Sequence, residues 1–362
     1  MSRALSTIHP HMRRFSKPMI RQDTSIVAKK KFSSVIRCMD VGKTLHGSVI
    51  AVGSQDKKLY LLDKNFHDIQ KILFSHWVRS VALGDLTGDG NDELIVGGGD
   101  KILHIFKFDE NKGKFVKIYE YVFDHFVNSC IITDVTGDHE LEILVGAWDK
   151  TIHALKLFSN RNQYILSLLW VKHCEKRVNV LKAVDVNSDG RNEIIVLFKG
   201  GGLEVYSTKL CEHIWSFPTE KELLAVEVGP IDQEGYPYII TGGDDAVLYF
   251  LNRKGELIHQ FKTKDRITAL SLEDVDGDLN LDLVLSEGDK VIRAFKFHGD
   301  SPQSNEIKWI HRIHSTNNCL LITDINQDSQ NEILFGGYQS ILTAIRDNYY
   351  GAEEAFFIRK TL

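Results

Sequence analysis

The sequence predicts an all-β fold, a seven-bladed β-propeller with four antiparallel strands in each blade. Three observations carry this prediction: an aspartate-led segment recurs along the chain, each copy contains several short apolar runs, and helix signals are nearly absent. With 362 residues, of which 43% are apolar, the chain is large enough to bury a substantial core.

Seven copies of one segment, at a period of roughly 47 residues, cover almost the whole chain. Five are clear: DLTGDGNDELIVGGGD, DVTGDHELEILVGAWD, DVNSDGRNEIIVLFKG, DVDGDLNLDLVLSEGD and DINQDSQNEILFGGYQ. Two are degenerate: VGKTLHGSVIAVGSQD and PIDQEGYPYIITGGDD. In chain order the seven copies begin at residues 41, 85, 134, 185, 230, 274 and 324.

Each copy contributes four strands. The copy at residue 85 shows the apolar runs RSVALGD, ELIVGGG, ILHIFKF and FVKIYEYVF, rich in β-branched and aromatic residues and separated by turn residues. Four antiparallel strands at this period make one propeller blade, and each blade buries its faces against its neighbours. A linear β-solenoid is the alternative, although its repeats are normally shorter.

The ring must be closed by strands from the chain ends. TSIVAKKKF at 24–32 precedes the first blade, so we expect it to pair with blade seven as an outer strand, while the C-terminal AEEAFFIRKTL gives another edge strand there. Which of the two is outermost stays open. Residues 23–362 are thus predicted to form a single propeller domain. Residues 1–22 are basic and are expected to be a disordered tail, with a transit peptide as the alternative.

The segment DVNSDGRNE in blade four has the spacing of a short calcium loop. Alternate residues of a tight loop converge on one centre, and calcium takes six to eight oxygen ligands. The candidate ligands in blade four are Asp185, Asn187, Asp189, the carbonyl of Arg191, and Glu193. Blade six offers Asp274, Asp276, Asp278, Asn280 and Asp282, and blade seven offers Asp324, Asn326, Asp328, Gln330 and Glu332. The weaker sets are Asp85, Asp89 and Glu93 in blade two, and Asp134, Asp138 and Glu142 in blade three.

A second interpretation of these loops needs no metal. Asp and Asn side chains bond their own backbone in turns, so an Asp-rich corner between two strands is stable by itself.

These loops, followed by an apolar strand and VGG, resemble the FG-GAP/VCBS repeat of integrin α-chain propellers. The resemblance covers most of the chain and implies structural calcium in blades four, six and seven. Integrin-type Phe-Gly and Gly-Ala-Pro signatures are not clearly present, and LFGGYQ is the segment most similar to them. The chain is also similar in style to propellers of the Bardet–Biedl trafficking complex and of KICSTOR-type scaffolds. That likeness implies a subunit that presents a propeller to partner proteins.

Charge and cysteine usage narrow the class of protein. A formal net charge of −5 gives no reason to expect nucleic-acid binding. Five widely spaced cysteines without a CxxC motif argue against disulfides and zinc. No apolar run reaches the length of a membrane span and no secretory signal is visible, so the cytoplasm is the expected location; an extracellular or organellar location is the alternative.

A candidate partner site lies at the end of the propeller opposite the aspartate loops. Six residues before each opening aspartate stand Arg79, Asn128, Asn179, Leu224, Thr268 and Asn318. If the copies are in register, these residues surround the channel mouth, where they bind an acidic peptide or an anion, or satisfy backbone groups. Trp77 and Trp148 lie in loops at the same end and, with Arg79, are the favoured contact residues. Lys57, Lys101, Lys150 and Lys290 decorate that end too.

The function predicted from these observations is a non-enzymatic protein-interaction scaffold. No GxSxG, P-loop, HExxH or comparable catalytic motif occurs. The alternatives are an extracellular calcium-dependent adhesion or glycan-binding propeller and, third, a propeller hydrolase or lyase.

Overall fold

All regular structure in the described chain is β-strand. The computed structural model describes residues 24–160, 163–231, 235–297 and 305–348. Seven four-stranded antiparallel sheets form the seven blades, which confirms the predicted fold class. In this part of the chain, no helix has the length and apolar character needed to cross a bilayer. The tail predicted for 1–22 and the segment AEEAFFIRKTL lie outside the described residues.

The strands follow the blades in chain order. The N-terminal strand is β1 (Thr24–Lys31). Blade one contains β2 (Ile36–Thr44), β3 (Gly47–Ser54), β4 (Lys58–Leu62) and β5 (Asp68–Leu73). Blade two contains β6 (Val78–Gly84), β7 (Glu93–Gly98), β8 (Ile102–Asp109) and β9 (Lys114–Val122). Blade three contains β10 (Val127–Thr133), β11 (Glu142–Ala147), β12 (Thr151–Asn160) and β13 (Gln163–His173).

The remaining blades repeat the arrangement. Blade four contains β14 (Val178–Val184), β15 (Glu193–Phe198), β16 (Leu203–Ser207) and β17 (His213–Phe217). Blade five contains β18 (Leu223–Ile231), β19 (Pro237–Gly243), β20 (Val247–Leu251) and β21 (Leu257–Lys262). Blade six contains β22 (Ile267–Glu273), β23 (Asp282–Glu287), β24 (Val291–Phe297) and β25 (Asn305–Arg312). Blade seven contains β26 (Asn317–Thr323), β27 (Glu332–Gly337) and β28 (Ile341–Asp347).

Burial explains why the second strand of each blade reads as a continuous apolar run. In β7, β11, β15, β23 and β27 every residue is buried, because both faces of the strand are covered by neighbouring blades. The outer strand β5 instead alternates between exposed and half-buried residues. The two burial patterns distinguish the inner strands of each blade from its outer strand.

Glycines of the second strand let neighbouring blades approach closely. A Cβ atom built on Gly97 would lie 2.3 Å from Val127 Cγ1 of the next blade, and one on Gly146 would lie 2.3 Å from Val178 Cγ1. The glycine of the VGG motif therefore leaves a hole that a β-branched residue of the next blade fills, and a larger side chain there would push the blades apart.

The N-terminal strand closes the ring. β1 pairs with β28 antiparallel, with Thr24 opposite Asp347 and Lys31 opposite Ile341, and it is the outermost described strand of blade seven. The next residue, Phe32, donates its N–H to the carbonyl of Ser340 (2.7 Å) and is buried among core residues of blades one and seven. The closure predicted for 24–32 is confirmed.

The innermost strand of every blade carries a register shift near its beginning. The shift falls at Arg37, Arg79, Asn128, Asn179, Leu224, Thr268 and Asn318. A β-bulge turns a side chain away from the regular alternation and commonly lies at the rim of a closed sheet assembly. All seven blades therefore carry the same β-bulge at the same end of the propeller.

The repeat of blade one does not start at residue 41, as the sequence alignment predicted. Its bulge at Arg37 and the pairing of Gly42 with Val49 place Lys43, and not Val41, at the position of the opening aspartate. Its first two strands are joined by a tight turn at Leu45 and His46 that replaces the longer aspartate loop, and alignment on the loop alone therefore slips by two residues.

We expect removal of residues 1–31, which deletes β1, to lower the melting temperature sharply, because the edge of β28 and the core around Phe32 become exposed. The measurement is thermal unfolding followed by circular dichroism. A variant lacking only residues 1–22 is the control and should melt like the full chain; equal melting of both variants would contradict this account of ring closure.

Candidate functional site

The five aspartate loops share one hydrogen-bonded shape. In blade four the carboxylate of Asp185 accepts the N–H groups of Asp189 (3.2 Å) and Gly190 (2.8 Å). In blades two, three, six and seven, the N–H of the sixth loop residue likewise donates to the opening aspartate. The sixth loop position is left-handed throughout, with φ near +84° at Gly190 and +66° at Leu279. The opening aspartate therefore folds the corner through its own bonds, as the turn interpretation expects.

The last acid of each loop is buried at the start of the second strand. Glu93, Glu142 and Asp282 are fully buried, as is Glu332, and Glu193 is 4% exposed. Each accepts the N–H of the second loop residue, for example Leu86 to Glu93 (2.8 Å). Burying a carboxylate costs several kcal/mol unless a partner compensates its charge.

A lysine from the third strand supplies that compensation in blades two and three. Lys107 Nζ lies 2.6 Å from both Asp89 Oδ2 and Glu93 Oε1. Lys156 Nζ lies 3.0 Å from Asp138 Oδ2 and 2.6 Å from Glu142 Oε1. The ammonium group therefore lies among the alternate loop oxygens that the sequence predicted as calcium ligands.

Blade six holds two ammonium groups. Lys308 is fully buried and lies 2.7 Å from Asp276, 2.8 Å from Asp282 and 2.9 Å from Asp347 of blade seven. Burial alone lowers the pKa of Lys308, but the carboxylates of Asp282, Asp347 and Asp276 raise that pKa above its usual value. Lys296 pairs with Asp278.

Two carboxylate oxygens in blade six, Asp276 Oδ1 and Asp282 Oδ1, have no hydrogen-bond partner among the described residues. In blade seven, Arg346 pairs with Asp328 and Glu332. Four of the five loops thus contain a side-chain cation.

Blade four lacks this cation within the described chain. The residue paired with Glu193 on the third strand is Ser207, where blades two and three carry Lys107 and Lys156. Asn187 Nδ2 donates to Glu193 Oε1 (2.8 Å) in its place. Burial and the nearby Asp189 and Asp185 raise the pKa of Glu193 to about 7, although a backbone bond from Val186 opposes the shift.

The donor sets differ in how well they fit calcium. In blades two, three, six and seven, a calcium ion would have to displace a lysine or arginine that already contacts the loop carboxylates. In blade four, Asp185, Asn187, Asp189 and Glu193 remain available, and their charge is not neutralised by a side-chain cation of the described chain.

At the seventh loop position, which was also predicted to supply ligands, the N–H groups of Arg191, Asn280 and Gln330 donate to the aspartate two residues earlier. Calcium binding stays a prediction for every loop.

The eighth loop position, which the sequence analysis did not single out, joins neighbouring blades. Asp92 Oδ2 accepts the N–H of Lys43 in blade one, and Asn192 Nδ2 donates to Thr133 Oγ1 in blade three (2.9 Å). Asn331 Nδ2 likewise donates to the carbonyl of Asp274 (2.8 Å). The aspartate loops therefore also hold adjacent blades together at this rim.

At the opposite end, the seven bulged residues line one cavity of about 480 Å³ at the mouth of the channel. The six residues predicted from register are all present, and Arg37 of blade one completes the ring. Arg37 was missed because blade one was aligned two residues too early. The register argument is therefore confirmed for geometry, while the role of these residues in partner binding stays a prediction.

Hydrogen bonds connect the polar members of this ring. Arg79 Nη1 donates to Asn128 Oδ1 (3.4 Å), and Asn128 Nδ2 donates to the carbonyl of Asn179 (2.7 Å). Asn179 Nδ2 donates in turn to Glu222 Oε1 (3.0 Å). Across the ring closure, Asn318 Nδ2 donates to the carbonyl of Ile36 (2.9 Å). The amides thus satisfy backbone groups of the next blade, as one of the two interpretations expected, and also face the cavity.

Arginines stack on tryptophans beside the mouth. The guanidinium of Arg79 lies 4.5 Å from the ring centre of Trp148, and Arg177 lies 5.4 Å from the same ring. Arg37 lies 5.6 Å from the ring centre of Trp77. The rings of His76 and Phe126 connect Trp77 to Trp148, so the predicted contact residues Trp77, Arg79 and Trp148 belong to one cluster.

Other aromatic and basic residues lie farther out. Trp170, Trp215 and Trp309 are in outer strands. Lys57, Lys101, Lys150 and Lys290 are exposed in left-handed hairpin positions at the same end as the mouth.

Comparisons with known proteins agree on the fold. A family model described as the lambda-carrageenase beta-propeller domain matches residues 163–275, well under half of the chain. The solved structure of BBS1N in complex with ARL6DN, soaked with mercury, is similar at a TM-score of 0.68 and 12% identity, covering 90% of this chain and 96% of that one. The lead-soaked form gives 0.70 and 11%, covering 91% and 96%. No curated protein sequence matches at a significant level. At such low identity the likeness establishes the propeller and nothing finer.

We expect Lys156→Met to create a calcium response in blade three. Removing the ammonium leaves Glu142 buried without its counter-charge, which costs about 3–5 kcal/mol for such pairs. Oxygens of Asp134, Asp138 and Glu142 lie within 4.8 Å of one another and would then be free to bind the ion. The melting temperature should fall in EDTA and recover in part with millimolar calcium. Lys156→Arg is the control and should show no recovery; recovery in both variants, or in neither, would contradict the proposed counter-ion role.

We expect Glu193→Gln to become increasingly stabilising as the pH rises. The folded state raises the pKa of Glu193 to about 7, so the free energy of unfolding falls as the pH rises from the unfolded pKa through that value. Glutamine has no charge to bury. In EDTA, the difference in melting temperature between variant and parent should therefore grow between about pH 5 and pH 8. A difference independent of pH would show that Glu193 titrates normally.

Proposed function

We propose that the chain is a non-enzymatic scaffold that binds partner proteins at the mouth of its propeller channel. One observation carries the proposal: seven β-bulges, one from each blade, turn their residues into a single cavity. A rigid scaffold that presents side chains at one end is typical of recognition surfaces.

The solved neighbours support a partner-binding role without fixing the partner. The similar propeller BBS1N was solved in complex with ARL6DN, so a propeller of this shape serves as a protein-binding module. The charge and aromatic content of the mouth, rather than this likeness, support its assignment as the contact surface.

Glycan recognition is the second candidate. The partial match to the lambda-carrageenase propeller domain favours it. Most glycoside hydrolases use a pair of carboxyl groups flanking the scissile bond. Among the described residues that line the mouth, Glu222 is the one carboxylate, and Asn179 and Lys199 already bind it. These contacts support binding rather than hydrolysis; a carbohydrate array distinguishes a glycan ligand from a protein.

We further propose that the chain is an FG-GAP/VCBS-type propeller with a structural calcium ion in the loop of blade four. The unneutralised set of Asp185, Asn187, Asp189 and Glu193 supports this restriction, since calcium affinity rises with the number of available carboxylates. When bound, the ion would supply charge compensation and rigidity at this rim. An intracellular location is proposed as well, with support from five cysteines that are all free.

We expect a photo-crosslinking residue at position 338 to trap discrete partner proteins in an extract of the source cells. Tyr338 lines the mouth and is 52% exposed. The same residue placed at Leu279, which is 93% exposed at the opposite end, is the matched control. Adducts specific to position 338 are the expected result; equal adducts at both positions, or none at 338, would contradict binding at the mouth.

We expect isothermal titration to show one calcium ion bound per chain, and Asp185→Asn to abolish it. Asp276→Asn in blade six is the control and should leave calcium binding unchanged. If Asp276→Asn abolishes binding, the ion belongs to blade six; if the parent chain binds no calcium, the loops are turns only.

A further inference from the structure

Two arginines at the channel mouth have no acidic partner among the described residues. Arg37 and Arg79 belong to neighbouring blades and line the same cavity. Among the described residues, neither forms an ion pair, and the side chain of Arg79 makes a single hydrogen bond, the 3.4 Å contact with Asn128. Burial lowers the pKa of Arg79, and repulsion from Arg37 lowers it further. An anion between the two guanidinium groups would relieve this repulsion.

Aromatic stacking holds these arginines in place before any ligand binds. Trp148 and Phe126 lie 4.5 Å and 5.2 Å from the guanidinium of Arg79, while Trp77 lies 5.6 Å from that of Arg37. Stacking occupies a face of the guanidinium group and leaves its N–H edges free to bind a carboxylate in bidentate fashion. A site of this kind loses little side-chain entropy on binding.

The rest of the lining favours a peptide over a small ion. Glu222, the single carboxylate of the lining in the described part of the chain, is engaged by Asn179 (3.0 Å) and Lys199 (2.5 Å), so its repulsion of an incoming anion is reduced. The cavity of about 480 Å³ is within the range of sites that enclose whole organic ligands, and is large for one phosphate. Thr268 and Thr316 also line the cavity, and a hydroxyl oxygen can accept a backbone N–H of a peptide even where it donates elsewhere, as Thr268 does to Ser286.

We propose that the mouth binds an acidic segment of a partner protein, with carboxylate side chains paired to Arg37 and Arg79. This inference rests on the proposed scaffold function and adds the chemistry of the partner. Lys199 and Arg266, on the far side of the same cavity, each already contact an acid. The acidic residues of the ligand are therefore directed to blades one and two, where the charge is uncompensated.

The test is fluorescence anisotropy with a fluorescein-labelled hexaglutamate peptide and the full chain. Hexaglutamate should bind with an affinity that falls as salt rises, because salt screens the charge pairing, and labelled hexaglutamine should not bind. The double variant Arg37→Gln/Arg79→Gln should weaken hexaglutamate binding at least tenfold. Lys57→Gln/Lys101→Gln removes the same charge from exposed hairpins of the same end and should change binding less than twofold. Circular dichroism confirms that both variants are folded.

Three results would overturn the inference. The first is equal binding to the parent chain and the arginine variant. The second is absence of hexaglutamate binding to the parent chain. The third is displacement of hexaglutamate by inorganic phosphate at an equal concentration, which would identify a free-anion site.

Crosslinking at position 338 separates this inference from the proposed function. Partner adducts that disappear in the arginine variant support both. Adducts that persist there unchanged overturn the acidic-segment inference alone, and a lack of adducts in the parent chain overturns the scaffold function itself.

Discussion

A carboxylate buried at the start of the second strand is the constraint on which the aspartate-loop end of this propeller depends. The acid receives an N–H from its own loop and pins the corner between the first two strands, as with Glu93 and Leu86. Its negative charge is unfavourable in that environment, so in four of the five loops a lysine or arginine from the third or fourth strand pairs with it. Because the eighth residue of several loops also binds the preceding blade, the corner contributes to the closure of the whole ring.

The two ends of the propeller use charge in opposite ways. At the aspartate-loop end, most acids meet cations of the same chain, and the surface is largely satisfied within the fold. At the channel mouth, Arg37 and Arg79 have aromatic support but no counter-charge among the described residues. A net charge of −5 conceals this separation. The unsatisfied cations, rather than the overall charge, identify the end at which a ligand is expected.

Sequence reasoning predicts what is periodic. Repeat spacing, four apolar runs per copy and a constant offset from the opening aspartate were enough for the blades, the closing strand and six members of the mouth. The lysines and arginines that pair with the buried acids were not predicted, because their positions depend on the pairing between strands. The cation stands opposite the acid across two strands, as Lys156 does to Glu142, and alignment of the loops alone does not reveal this pairing. A basic residue at a fixed distance after the last acid is nevertheless visible in the sequence, and Ser207 is the exception. Arg37 was missed because the short turn of blade one shifts the register.

Installing the missing cation in blade four tests charge compensation most directly. In Ser207→Lys, the new ammonium group would lie opposite Glu193 as Lys156 lies opposite Glu142. Thermal melts at neutral pH, in EDTA and in millimolar calcium, would compare this variant with the parent chain and with Ser207→Gln, a long uncharged control. The account predicts a higher melting temperature for Ser207→Lys alone and no calcium-dependent shift in that variant. A melting temperature equal to that of the glutamine control, or a calcium shift that persists, would contradict it.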